Sequence, residues 1–359
     1  MASQLMSGWE EMRDILKRVA IGPAGSKNLT EEEACRAMGL CLDRHASDIQ
    51  IAVFLIAQRL KRETDAENVG FLKALLERSQ GTVAPCESVA NLGDPYDGFN
   101  RVPHFAPLVA AVTGACGLPT VVHGCSDMPP KHGVSHRHLL EAYAGHSIDI
   151  GSGAASVERA AQRAASRGAA YVDMEDFHPK LWALTSIRRE IAKRPALSTL
   201  EKLIVPIRGR SQSHVVSGWV HKGYERQITE ILRLCGWSSV LLFKGREGHI
   251  DAFAHRPTTL CGYQANGPTY KKDISPADLG INLPHPPEWG AVSVQSVCEL
   301  WKQVLEGQEG PAGISTALTA AAILTHAEVC ASLEEGYGQA LEALSSGRAK
   351  QAFEGFLAN

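Results

Sequence analysis

Between Pro119 and Gly145 the chain reads PTVVHGCSDMPPKHGVSHRHLLEAYAG, and the groups most able to do chemistry gather there. A β-branched run, Thr120-Val121-Val122, has the character of a buried strand and ends at His123-Gly124. The loop that follows, Cys125 to Ser135, carries Lys131 and Gly133. A lysine beside a glycine supplies a cation and room for close backbone approach, which suits a loop that closes over phosphate. A solvated lysine is the plain alternative. His132, His136 and His138 are close in sequence, but no acid or cysteine stands at a telling spacing, so zinc is disfavoured. A second concentration of charge is Arg188, Arg189, Lys193, Arg194 and Lys202, five bases in fifteen residues.

The elements that must position these groups follow from the apolar spacing. Leu139, Leu140, Ala142 and Tyr143 predict a helix after the loop, and Leu108 to Gly117 an Ala/Val-rich helix before it. Strand, glycine loop and helix place ligands at the carboxyl end of a parallel sheet. Helices are expected over residues 5–20, Leu29 to Arg44, Ser47 to Glu63 and Asp65 to Arg78, with Thr30 and Glu33 forming a capping box. Gly81 to Gly98 reads as a polar connection. Beyond it, strands Thr120–His123, Tyr171–Met174, His214–Gly218 and Ser239–Lys244 alternate with helices Ser156–Arg167, Tyr224–Leu234 and Ser293–Leu305. Alternation predicts an α/β fold with a mainly parallel central sheet. The division expected is a helical domain over 1–80, joined by a helical insertion near 179–203, and an α/β domain over 81–359. Ile314 to Phe356 should be mostly helical, its last helix starting at Ser345 or Ser346.

Composition narrows the function. A net charge of −3 argues against a general polyanion binder but leaves a local basic patch open. No run of about 18 apolar residues indicates a membrane span. The N-terminus lacks the apolar segment of a secretory signal, and nine scattered cysteines without a Cys-x-x-Cys pair fit a reducing, cytoplasmic setting.

Several segments, taken together, resemble the anthranilate phosphoribosyltransferase family. LTEEEA and QIAVFLIAQRLKRET look like its helical domain. VVHG followed by Lys131-x-Gly133 looks like its Lys-His-Gly-Asn and Lys-Ser-Gly segments. FHPKLWALTSIRRE looks like its His-Pro segment and the arginine ten residues later, and VSGWVHKGYERQITEILRLCG and SLEEGYGQALEALSSGRA like its late strand-helix and terminal helices. The resemblance implies the nucleoside phosphorylase/phosphoribosyltransferase fold and a homodimer joined through the helical domain. It also implies displacement of pyrophosphate from phosphoribosyl pyrophosphate (PRPP) by an aromatic amine, assisted by Mg2+, as in tryptophan biosynthesis.

Carried over by position, the resemblance assigns Gly93, Asp94, Asp97, Gly98, Lys131 and Gly133 to PRPP. It assigns His123, Gly124, His178, Trp182 and Arg188 to the acceptor, with Arg188 able to pair a carboxylate in a fork and Trp182 to stack on a flat ring. Glu247 and Asp251 are its nearest counterparts to a magnesium-binding Asp-Glu pair. No residue is assigned to the chemical step. Each has a plain alternative: a Gly/Asp turn, a core histidine, a capping histidine with a surface arginine, and surface acids. The departures are concentrated in the ligand motifs. Val122 replaces the lysine and Cys125 the asparagine, Ala106 and Pro107 replace two hydroxyls, and Ala252 follows Asp251. The chain therefore reads as a divergent paralogue. One expectation is a phosphoribosyltransferase with a rebuilt site, and the alternative is a silent or repurposed paralogue that binds nucleic acid through Arg188 to Arg210. A crevice filled by Tyr96, Phe105 or Pro107 would be incompatible with a diphosphate.

Overall fold

The computed structural model describes residues 2–22, 24–148, 150–265, 267–283 and 285–357. Four helices come first: α1 (Ala2–Val19), α2 (Glu31–Leu42), α3 (Asp48–Lys61) and α4 (Asp65–Glu77). Thr30 and Glu33 cap α2 reciprocally, as their spacing requires, and Ser47 with Gln50 and Thr64 with Glu67 repeat the device on α3 and α4. Glu67 also accepts from the Leu29 amide at 2.9 Å and pairs with Lys61 at 2.5 Å, all inside the bundle.

The rest of the chain wraps one sheet. Its strands are β2 (Ser88–Gly93), β3 (Thr120–Gly124), β4 (Ala169–Asp173), β6 (Gln212–Trp219), β7 (Ser239–Lys244), β8 (Thr258–Gln264) and β9 (Tyr270–Ile274), in the order β4-β3-β2-β6-β7-β8-β9. The first five are parallel and the last two antiparallel. Two short strands, β1 (Thr82–Val83) and β5 (Ile207–Arg208), pair separately. Helices α5 (Ala106–Ala115), α6 (His136–Ala144) and α7 (Ala154–Arg167) precede β4. The short helices α8 (Met174–Phe177), α9 (Pro179–Trp182), α10 (Thr185–Ile191) and α11 (Leu197–Leu200) and a 3-10 turn, Glu201–Leu203, follow it. The remaining helices are α12 (Tyr224–Leu234), α13 (Val294–Leu305), α14 (Pro311–His326), α15 (Leu333–Ser345) and α16 (Arg348–Leu357).

Both faces of the parallel sheet are covered, which is why its strands read as continuous apolar runs. Val89, Val121, Val215 and Val240 point into a core shared with the helical bundle. Their neighbours Ala90, Val122, Val216 and Leu241 point into a second core under α5 and α13–α16. The short helices of 179–203 pack with the bundle: Leu181, Ile187, Leu197 and Leu203 belong to the first core.

Two expectations need correction, and two strands were missed. The Gly81–Gly98 connection contains the central strand β2, whose SVANLG sequence has little β propensity. Burial stabilises it, together with Asn91, whose side chain donates to the Ile207 carbonyl at 2.8 Å. The strands β8 and β9 were not anticipated, because Gly262, Lys271 and Lys272 dilute the apolar pattern. The last helix begins at Arg348, since Ser345 ends α15, Ser346 caps it and Gly347 turns with φ +78°.

Candidate functional site

The parallel register brings Gly93, His123 and Ser217 side by side, with Gly124 opposite Asp173, so the carboxyl ends of four strands form the floor of a cleft. The loops above it carry most of the residues assigned to PRPP. They are bound to one another. Phe99 and Val134 form a two-way backbone bridge, each amide donating at 3.0 Å to the other's carbonyl. The Gly133 amide donates to the Asp97 carbonyl at 2.8 Å, and Lys131 donates to the Gly98 carbonyl. A Cβ on Gly98 would meet the Gly133 carbonyl carbon at 2.4 Å, and one on Gly133 the Phe99 amide at 2.5 Å. These glycines let two loops touch.

Charges of the chain meet the same groups. Lys131 pairs with Glu247 at 2.5 Å, and that carboxylate also accepts from the Asn100 and Arg101 amides. Burial would raise the Glu247 carboxyl, but Lys131 and the Arg101 and Asn100 amides together hold it below its ordinary range. Asp97 pairs with Arg194 at 2.5 Å. Asp94 accepts from the Ile250 amide and from His136 Nε2, both at 3.1 Å. Lys202, buried, donates to the Gly218 carbonyl, and desolvation pulls its pKa down to about 8.

The acceptor-assigned residues do not share one open pocket. His123 Nδ1 lies 2.5 Å from the Tyr96 hydroxyl, and burial lowers its pKa to about 3. Tyr96 and Phe105 are 3% and 2% exposed, and Pro107 is buried at the start of α5, so none of the three stands open to solvent. His178 lies under the bundle. Its Nε2 donates to the Leu75 carbonyl at 3.0 Å, which fixes the tautomer, and Nδ1 accepts from the Leu181 amide. Burial brings its pKa to about 4. Trp182 packs on the same core. Arg188 is fully buried and its fork is closed on Glu201, at 2.5 and 3.2 Å, with Ser198 Oγ at 3.1 Å.

The two acids assigned to magnesium are not assembled. Glu247 is held by Lys131. Asp251 Oδ2 accepts from the Phe105 amide at 3.1 Å, in effect capping α5. Burial, and then the charge of Asp94, push the Asp251 carboxyl well above the ordinary carboxylate range. Ala106 and Pro107 offer no oxygen. The residues present do not fit a Mg2+·diphosphate, and among the described residues no group of three His, Cys, Asp or Glu is placed to hold a metal ion. The basic groove expected over Arg188 to Arg210 is also dispersed: Arg188 and Lys202 are buried, and Arg189 and Arg194 face Asp127 and Asp97.

Sequence reasoning missed the cleft's other lining. His104 is fully buried, stacks 4.2 Å from Phe99, and has no hydrogen-bond partner on either ring nitrogen among the described residues; burial, then His136 and His249, hold it neutral. Beside it a cleft of about 50 Å³ is lined by Phe105, Arg246, His249, Asp251, Phe253 and Trp289. Drug-sized ligands occupy several hundred Å³. At the mouth, Arg246 and Arg256 are exposed, and neither has an ion-pair or hydrogen-bond partner among the described residues. The Arg256 guanidinium lies 3.8 Å from the Phe253 ring centroid. Partial burial, then Arg246, lower its pKa. The only sequence signal was two arginines close to the Asp251 segment.

Asp173 gives this floor a pH signature. Burial raises its pKa to about 6, against the Glu175 amide, Arg137 and the Tyr171 hydroxyl. A raised carboxyl contributes stability that is full below the unfolded pKa near 4 and is lost as pH rises through about 6. The Asp173→Asn variant should therefore gain about 2.5 kcal/mol relative to wild type between pH 4 and 7. Urea unfolding at the two pH values measures it.

Residues 13–79 match the family model described as "Glycosyl transferase family, helical bundle domain", and residues 93–350 match "Glycosyl transferase family, a/b domain". An uncharacterized protein of Aquifex aeolicus is 29% identical over 87% of this chain and 92% of its own. An anthranilate phosphoribosyltransferase of Methylocella silvestris is 28% identical over 95% and 93%. The solved anthranilate phosphoribosyltransferase of Thermus thermophilus superposes with a TM-score of 0.78 at 22% identity, over 96% of this chain and 98% of that one. The Saccharomyces cerevisiae enzyme in complex with PRPP and Mg gives 0.78 at 16%, over 97% of each. These two likenesses speak to fold.

Proposed function

Because the chain belongs to the glycosyl transferase family that joins a helical bundle domain to an α/β domain, we propose that it is a paralogue whose phosphoribosyl-transfer centre is silent and whose cleft mouth binds single-stranded nucleic acid. One contrast carries this reading. Lys131, Arg188 and Lys202, buried or half-buried, are bound to carboxylates or carbonyls of the chain, and exposed Arg194 pairs with Asp97, whereas Arg246 and Arg256, also exposed, have no ion-pair or hydrogen-bond partner among the described residues. Arginines at a rim suit backbone phosphates, and the Arg256 guanidinium stacked on Phe253, with the Trp289 ring nearby, suits a stacked base. The net charge of −3 confines such binding to a local patch.

A second reading is favoured by the full-length relatives named anthranilate phosphoribosyltransferase. In it the chain moves phosphoribosyl from PRPP to an aromatic amine with Mg2+, in tryptophan biosynthesis. It requires the Phe99–Val134 bridge and the Lys131–Glu247 pair to open. Either reading includes a cytoplasmic homodimer joined through the bundle. In support, Ile49, Val53 and Leu60 form an exposed apolar face on α3, and all nine cysteines are free.

The test is fluorescence anisotropy with a labelled oligothymidylate across a salt series, beside calorimetry with PRPP and Mg2+. Affinity should fall with a log–log slope of about −0.7 per phosphate contacted, and Arg246→Ala/Arg256→Ala should flatten that slope by roughly one to two contacts. Absent or salt-insensitive binding rejects the proposal. Heat with PRPP·Mg2+ and consumption of anthranilate would establish the second reading.

A further inference from the structure

At the opposite ends of the strands, away from the cleft, a hydrogen-bonded chain crosses the sheet. Ser88 Oγ lies 2.9 Å from His214 Nε2, and His214 Nδ1 lies 2.7 Å from Ser239 Oγ. Ser239 Oγ lies 3.1 Å from His326 Nε2, and His326 Nδ1 lies 2.9 Å from the Tyr270 hydroxyl. The five groups come from β2, β6, β7, α14 and β9, so tertiary structure alone brings them together. The chain ends at a cavity of about 340 Å³ between β8, β9, α14 and the start of α15. Leu260, Ile274, Ala322 and Leu333 give it apolar walls. Lys272 stands at its edge, 5.5 Å from the Tyr270 ring centroid, with no ion-pair partner among the described residues. Gly262 lies opposite Tyr270 in the ladder, where a Cβ would stand only 3.3 Å from its hydroxyl.

Burial lowers the pKa of His214 to about 4 and that of His326 to about 3, so both rings are neutral at physiological pH. A neutral imidazole donates from one nitrogen and accepts at the other. Ser239 Oγ can accept from both rings at once, with Ser88 and Tyr270 donating to their outer nitrogens; otherwise the whole chain runs in one of two directions. In one, Tyr270 donates to His326 Nδ1 and the protons point toward Ser88. In the other, Ser88 donates to His214 Nε2, both rings carry their proton on Nδ1, and the Tyr270 O–H is free for the cavity.

We propose that this cavity binds a small organic carboxylate with an apolar body, held by Lys272 and the Tyr270 hydroxyl, and that its binding sets both buried histidines to the Nδ1–H tautomer. The cavity size is that of a small-molecule site, and a cation beside a phenolic donor, over aliphatic walls, matches a carboxylate on an apolar group. The site is independent of the nucleic-acid reading.

The experiment is a benzoate titration of the full chain, followed by long-range 1H–15N spectra of the imidazoles. Saturable binding is expected, with the His214 and His326 signals moving together to the Nδ1–H pattern. Lys272→Ala should weaken binding about tenfold, the loss of one charge-assisted contact. Tyr270→Phe, which keeps the ring, should uncouple the His214 response while the thermal midpoint shows the fold retained. No imidazole change up to the solubility of benzoate, or equal binding by Lys272→Ala, overturns the proposal. Inorganic phosphate binding as tightly as benzoate also overturns it, because an apolar body would then contribute nothing.

Discussion

Glu201→Ala should destabilise the protein by about 3–5 kcal/mol, because it leaves the buried Arg188 guanidinium without its counter-charge. Arg188 and Glu201 are 0% and 1% exposed, and two of the three nitrogens of the fork are committed to the pair. Among the described residues the third, Nε, has no partner, and only the neutral Ser198 hydroxyl would remain on the fork. Desolvation already raises the Glu201 carboxyl, with Arg188 as the largest opposing influence. The pair ties α10 to the 3-10 turn across the segment that packs on the bundle. Replacing both residues, as Arg188→Met/Glu201→Leu, removes the desolvation cost with the pair and should recover most of the loss. Urea unfolding of the single and double variants measures both numbers. If Arg188 were an open arm for the carboxylate of an acceptor, Glu201→Ala would stay within about 0.5 kcal/mol of wild type, as surface changes do.

The same pair shows where the sequence stops being readable. Local devices were legible: Thr30 and Glu33 are three residues apart, and helix geometry dictates their meeting. Strongly β-branched or apolar strands such as Ser239–Lys244 were legible too, since both faces are buried and the run is unbroken. The central strand β2 was hidden, because its residues are held by neighbours and not by propensity. At the site, residue types were legible and their partners were not. Lys131 meets Glu247, Asp97 meets Arg194, and Asp251 meets the Phe105 amide, each across more than ninety positions. A cation that awaits a phosphate and one already neutralised by its own chain are the same letter. Only the topology separates them, and with it the phosphate-binding and self-bound readings of the loops.

Gly93→Ala is the second large effect, and it asks why a glycine stands at the end of β2 at all. A Cβ at this position would sit 1.9 Å from the Lys202 carbonyl oxygen and 2.9 Å from its carbon, with His123 Cε1 at 3.0 Å. Neither side can yield easily. Gly93 is paired with His123 on one strand and Ser217 on the other, and Ser217 Oγ donates to its carbonyl at 2.6 Å. The carbonyl it would strike belongs to Lys202, itself buried and tied to Gly218. Overpacking against backbone in a central strand should cost about 3 kcal/mol or more without any ligand present. Gly124→Ala is the control at the end of the next strand: there a Cβ meets only the Tyr171 side chain, its hydroxyl at 3.6 Å and Cε2 at 3.9 Å, ordinary contacts, and stability should change by less than about 1 kcal/mol. Denaturant titration of the two ligand-free variants separates the causes. A glycine kept for the approach of a phosphate would leave the free protein as stable with alanine as without it, whereas a glycine kept for the crossing of β2 under Lys202 makes Gly93→Ala the weaker fold before any ligand is added.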